Sequence, residues 1–90
     1  MEFNILEKSK YKVKFELKGE THTFCNALID ELWKDEAIKV AAYKIEHPLV
    51  AIPQFIVETN NTKTVKKALQ DAVKRLMKQN DVLAQKIKEL

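Results

Sequence analysis

Between Lys10 and Lys18 the chain alternates without exception. Tyr11, Val13, Phe15 and Leu17 are apolar, and Lys10, Lys12, Lys14, Glu16 and Lys18 are charged. A period of two predicts a strand with one face buried and one in water. The run before it, Phe3 to Glu7, carries Phe3, Ile5 and Leu6 and predicts a first strand. Lys18-Gly19-Glu20 supplies a turn, and Gly19 is the chain's single glycine.

Past that turn the period changes. Phe24, Leu28 and Leu32 form one apolar row stepping by four, and Cys25, Ile29 and Trp33 form a second beside it. That spacing predicts an amphipathic helix, with Thr21 or Thr23 as its cap. A sheet needs only one of the two rows, which leaves the other for a further contact. Ala37 to Glu46 then predicts a third strand, with Ile38, Val40, Ala42 and Ile45 prominent. His47-Pro48 breaks it, because proline donates no amide and restricts the residue before it. Pro53 opens a fourth strand, Gln54 to Thr59, with Phe55 and Val57 on one face. Asn60-Asn61 is a turn, and Thr62 or Thr64 caps a last helix from about Val65 to Leu90. The order ββαββα predicts an α+β two-layer sandwich: a four-stranded, mainly antiparallel sheet with both helices on one face.

The last helix is long for such a domain. At 1.5 Å per residue it would span about 35–40 Å, against about 20–27 Å for a strand of six to eight residues. Its far end nonetheless stays amphipathic, with Leu83, Ile87 and Leu90 continuing the row of Leu69, Ala72, Val73, Leu76 and Met77. Apolar positions beyond the reach of the sheet imply a partner surface. Leu69, Leu76, Leu83 and Leu90 also fall seven apart, as in a zipper. The intervening positions are Val65, Ala72, Gln79 and Lys86, and two polar residues in succession argue against a self-sufficient coiled coil.

Composition narrows the function classes. Ninety residues with 46% hydrophobic content suit one domain over residues 1–90. A chain of this size buries about 60–65% of its unfolded surface, so no deep substrate cleft is expected. No apolar run approaches the roughly 18–20 residues of a membrane span, and no signal peptide opens the chain. One cysteine and no export signal point to a cytoplasmic location. The formal net charge is +3, and of sixteen basic residues only Arg75 is not lysine. Base-reading proteins favour arginine forks, so lysine alone suggests at most salt-sensitive backbone contacts.

Candidate chemistry is sparse. His22, Cys25 and His47 do not supply the three or four closely spaced ligands of a zinc site. Cys25 lies in an apolar row and reads as a small core residue, not a nucleophile. Trp33 reads as an apolar anchor in a core or interface before it reads as a stacking platform for a base. The strand lysines Lys10, Lys12, Lys14 and Lys18 form a basic stripe whose simplest role is a solvated face. Carboxylates fall in no magnesium-binding triad, and no phosphate loop or nucleophile elbow is present. No catalytic, metal-binding or cofactor-binding residue is expected in this chain.

Several short motifs carry a family resemblance. They are Thr23, Asn26 and Leu28 opening the first helix and Leu32-Trp33-Lys34-Asp35 closing it. Ala41-Ala42-Tyr43, His47-Pro48-Leu49, Pro53 and Phe55 follow. With these, the chain resembles the small alpha-like subunit of archaeal DNA-directed RNA polymerase, subunit L, which is related to the small alpha-like subunits of the eukaryotic nuclear polymerases. One departure is Thr64-Val65-Lys66, where relatives often open the last helix with proline. The resemblance implies the alpha-subunit dimerisation fold and a non-catalytic role within a nucleotidyltransferase complex. It implies pairing with the larger alpha-like subunit of that enzyme, named D, through helices of both chains. On that pair the small subunits N and P and the two large catalytic subunits assemble for transcription, and DNA is met only through the complex. The implied pool of core and interface residues is Phe24, Leu28, Ile29, Leu32, Trp33, Leu69, Val73, Leu76, Leu83 and Ile87.

Overall fold

The computed structural model describes residues 2–19, 21–45, 52–76 and 87–88. Four strands and two helices follow in the expected order: β1 Glu2–Lys8, β2 Lys12–Lys18, α1 His22–Trp33, β3 Ile38–Ile45, β4 Pro53–Thr59 and α2 Val65–Leu76. The strands form one antiparallel sheet in the order β1-β2-β4-β3, so β1 and β3 are its edges. α1 lies against β3 and α2, and α2 lies on β4.

Alternation sets the core. Val13, Phe15 and Leu17 of β2 and Phe55 and Val57 of β4 are buried on the helix-bearing side. Across the sheet runs an aromatic ladder, in register from Phe15 through Phe55 to Tyr43 and diagonal from Phe3, whose register partner is Leu17. Phe3 meets Phe15 with centroids 4.8 Å apart, Phe15 stacks on Phe55 at 4.9 Å, and Phe55 stacks on Tyr43 at 5.3 Å. One ring from each strand thus joins both edges through the core, a geometry that adds to area burial.

Two bulges decide which side chains face in. On β1 the register shifts between Ile5 and Glu7, which places Leu6 opposite no partner. On β3 it shifts between Ile38 and Val40, so Lys39 is the extra residue. An extra residue reverses the alternation of all that follows. Ile38 is therefore buried, but after it Ala41 is the buried residue and Ala42 is exposed. The period of Ile38, Val40 and Ala42 misplaces that stretch for this reason.

The turns follow local chemistry. Gly19 sits at φ 91° and Asn61 at φ 74°, a region glycine enters freely and asparagine tolerates. Asn60 Oδ1 accepts hydrogen bonds from the Thr62 amide and hydroxyl. Of the alternative caps, Thr21 accepts from the Phe24 amide and Thr64 from the Lys67 amide, both at 3.2 Å. Thr64 thus caps the start of α2. The His47-Pro48-Leu49 corner lies outside the described residues.

Candidate partner interface

α1 buries a single seam drawn from both predicted rows: Cys25, Leu28 and Leu32. Successive residues turn by about 100° on a helix, which sets Phe24 beside one flank of that seam and Ile29 and Trp33 beside the other. Phe24 and Ile29 are partly buried against the core. Trp33 is 51% exposed, the most exposed large apolar side chain among the described residues. Its indole Nε1 donates to the Ala41 carbonyl on edge strand β3 at 3.0 Å. The ring is therefore held against the edge with its polar atom satisfied while half its surface remains in water.

α2 buries Val65, Ala68, Leu69, Ala72 and Val73, and Leu76 at its end is only partly covered. Ile87, expected from helix length to lie beyond the sheet, is 1% exposed and belongs to the core. A length reckoned along a straight rod does not say where a side chain at its end points. Leu83 lies outside the described residues, as does any zipper-like run through it. The pool of ten thus separates in the free chain. Leu28, Leu32, Leu69, Val73 and Ile87 are core; Phe24, Ile29 and Leu76 are partly covered; Trp33 is exposed.

Polar contacts fix these elements against one another. Tyr43 Oη donates to Asn26 Oδ1 at 3.1 Å and lies 3.0 Å from His22 Nδ1. That joins the first turns of α1 to β3 through two of the residues that carry the family resemblance. At the other end of α1, Arg75 of α2 reaches Glu31 twice, from Nε to Oε2 at 3.2 Å and from Nη2 to the main-chain oxygen at 2.9 Å. Beside it, Lys63 pairs with Asp35 at 2.6 Å and Asp71 at 3.0 Å, and Asp71 also meets Lys67 at 3.0 Å. Along the sequence these charges read only as a balanced solvent face. Their convergence from two loops and a helix has no local sequence signal.

The network perturbs its members in opposite directions. The hydrogen bond from Lys63 and the Ala37 amide hold the Asp35 carboxyl below its ordinary value of 3.8. Asp71, despite partial burial that acts against ionisation, is also lowered by its bonds from Lys63 and Lys67. Lys63 is raised above 10.5 by Asp35 first and Asp71 second. The carboxylates therefore contribute stability above their unfolded values, and that contribution is lost as pH falls through the depressed folded ones. The Lys63 contribution is present below 10.5 and is lost as pH rises through the raised folded value. Lys63→Met is expected to cost about 1 kcal/mol at neutral pH, a figure held down by solvent screening. Denaturant melts from pH 2 to 7 should then show a shallower acid slope for the variant than for the parent. Equal slopes would assign the acid sensitivity to other groups.

The lysine stripe is less uniform than its sequence suggests. Lys14 lies 3.6 Å from Glu7 and Lys18 4.0 Å from Glu2, both pairs exposed. In register, Lys12 faces Glu58 and Lys14 faces Ile56. Lys10 stands outside the strand with its ammonium 5.4 Å from the Tyr11 ring centroid. Among the described residues no three His, Cys, Asp or Glu side chains are grouped as metal ligands. Cys25 is buried and His22 is exposed. No helix among the described residues is long and apolar enough to cross a membrane.

Residues 12–86 match the family described as the RNA polymerase Rpb3/Rpb11 dimerisation domain. The chain belongs to that family. It is of the small, Rpb11/L type. It is 40% identical over 81 residues to DNA-directed RNA polymerase subunit Rpo11 of Methanocella arvoryzae, covering 90% of this chain and 87% of that protein. It is 43% identical over 75 residues to subunit Rpo11 of Nanoarchaeum equitans, covering 83% and 78%. The crystal structure of DNA-directed RNA polymerase subunit L from Thermoplasma acidophilum superposes with a TM-score of 0.73 at 26% identity, over 98% of this chain and 86% of that one. Within the family frame, the exposed and partly covered apolar groups on and beside α1 and α2 are the natural candidates for a dimer surface.

Proposed function

We propose that this chain is the small alpha-like assembly subunit of an archaeal DNA-directed RNA polymerase. It pairs with the larger alpha-like subunit, and the pair is the platform for the small subunits N and P and the two large catalytic subunits. The observation that carries this reading is the family match over residues 12–86 together with an incompletely covered apolar margin on the helix side.

The mechanism is burial, not turnover. Trp33, Ile29, Phe24 and Leu76 lose their remaining exposure against helices of a related fold. An obligate interface of this class buries on the order of 2,000 Å² or more and is apolar at its centre. The bonds of Arg75, Lys63 and Tyr43 hold the helices before the partner arrives, which lowers the ordering cost of association. The chain supplies no catalytic group, works in the cytoplasm and meets DNA only through the complex.

Stepwise reconstitution tests the platform role. With this chain present, the larger alpha-like subunit should carry the large catalytic subunits into one species on size exclusion. With this chain omitted, the larger alpha-like subunit should fail to retain them. Equal retention in both mixtures would contradict the proposal.

A further inference from the structure

A second surface lies away from the helix margin, where the β1–β2 turn meets the first turn of α2. Lys8, Ser9, Lys10, Thr64, Val65 and Lys66 line a groove of about 390 Å³. The groove is built, not incidental. The Val65 amide donates to the Lys10 carbonyl at 3.0 Å, and the Ser9 amide to the Lys12 carbonyl at 2.8 Å. Its surface is chiefly carbon although Val65 is itself buried, and its lining includes three lysines. No carboxylate stands among the lining residues. The amides of Val65, Lys67 and Ala68 are already bonded to Lys10 O, Thr64 Oγ1 and Thr64 O, so the attraction is assigned to the lysine side chains.

We propose that this groove docks an acidic peptide segment that places one apolar side chain on the carbon floor and carboxylates against Lys10 and Lys66. Charge complementarity names the occupant. Arginine forks that suit nucleic-acid phosphates and bases are absent from the lining, and the nearby ring, Tyr11, lies beneath Lys10. A carbon floor offers a phosphate backbone nothing, whereas it accepts an aliphatic side chain. The site is separate from the helix margin and stands whether or not the pairing reading holds.

The probe is a short fluorescein-labelled peptide of Asp and Glu around one central Leu, titrated into the full chain by fluorescence anisotropy. The expected result is saturable binding that falls about tenfold or more in K10E/K66E and less than about twofold in the control K39E/K88E. Replacing the peptide's Leu by Ser should weaken binding several-fold, and added salt should weaken it further. Lys10→Gln with Lys66→Gln, which only removes charge, should give an intermediate loss and guards against a misfolded reversal variant. Three results would each overturn the proposal: no saturable binding, equal loss in the control, or tighter binding of oligothymidylate with no dependence on the peptide's Leu.

Discussion

Replacing Trp33 by alanine is expected to weaken pairing with the larger alpha-like subunit by about 30-fold or more, while the isolated chain loses about 1 kcal/mol and melts about 4–8 °C lower. The two effects separate because of where the indole sits. In the free chain the ring is 51% exposed, so truncation forfeits only part of its burial and one hydrogen bond to Ala41. Such a bond contributes about 1 kcal/mol net, and the carbonyl it leaves lies on an edge strand that water can reach. In a dimer the same ring would be fully covered, and tryptophans of that kind cost about 2–4 kcal/mol when truncated. About 2 kcal/mol corresponds to the 30-fold change. Titration calorimetry for pairing and circular dichroism for melting read the two quantities separately. Equal loss in both would make Trp33 part of the fold alone. Leu76→Glu should impair pairing more than folding, though less cleanly than Trp33→Ala, because Leu76 already packs partly against the core.

Phe55→Ala is expected to do the opposite and remove the fold itself. Phe55 is 1% exposed and stacks between Phe15 and Tyr43 at the centre of the ladder. Truncating a buried phenylalanine costs about 3–5 kcal/mol through lost transfer energy and a residual cavity. Small domains hold about 5–15 kcal/mol in all, and each kcal/mol moves the melting temperature by about 4–8 °C at this size. The variant should therefore melt at least about 12 °C lower or fail to fold. Phe55→Leu, which keeps most of the volume, should retain the cooperative transition. A Phe55→Ala melt close to the parent's would mean that the ladder contributes little beyond its neighbours.

Much of the fold was legible in the sequence because its cause is local. The alternation of Val13, Phe15 and Leu17 required a strand with one buried face, and the two apolar rows after Thr23 required a helix. Pro53 and Asn60-Asn61 marked the ends of the fourth strand. The third strand was only half legible. Its bulge at Lys39 arises from pairing with β4, so periodicity within the strand could not reveal which of Ala41 and Ala42 faces in. The same holds for the candidate site. The rows of α1 announced an apolar excess, but only packing shows that Cys25, Leu28 and Leu32 share the seam and leave Trp33 outside. Lys63 with Asp35, and Arg75 with Glu31, join residues 28 and 44 positions apart, and no spacing announces them. Asn26 and Tyr43 both carry the family resemblance, in separate motifs, but no spacing announced the hydrogen bond between them.

Pairing with the larger alpha-like subunit is the central functional claim. The most direct measurement is light scattering coupled to size exclusion, on this chain alone and mixed with that subunit from the same source. The expected result is a one-to-one complex that survives dilution and that Trp33→Ala weakens. Two separate peaks at their individual masses, with this chain eluting unchanged, would contradict it.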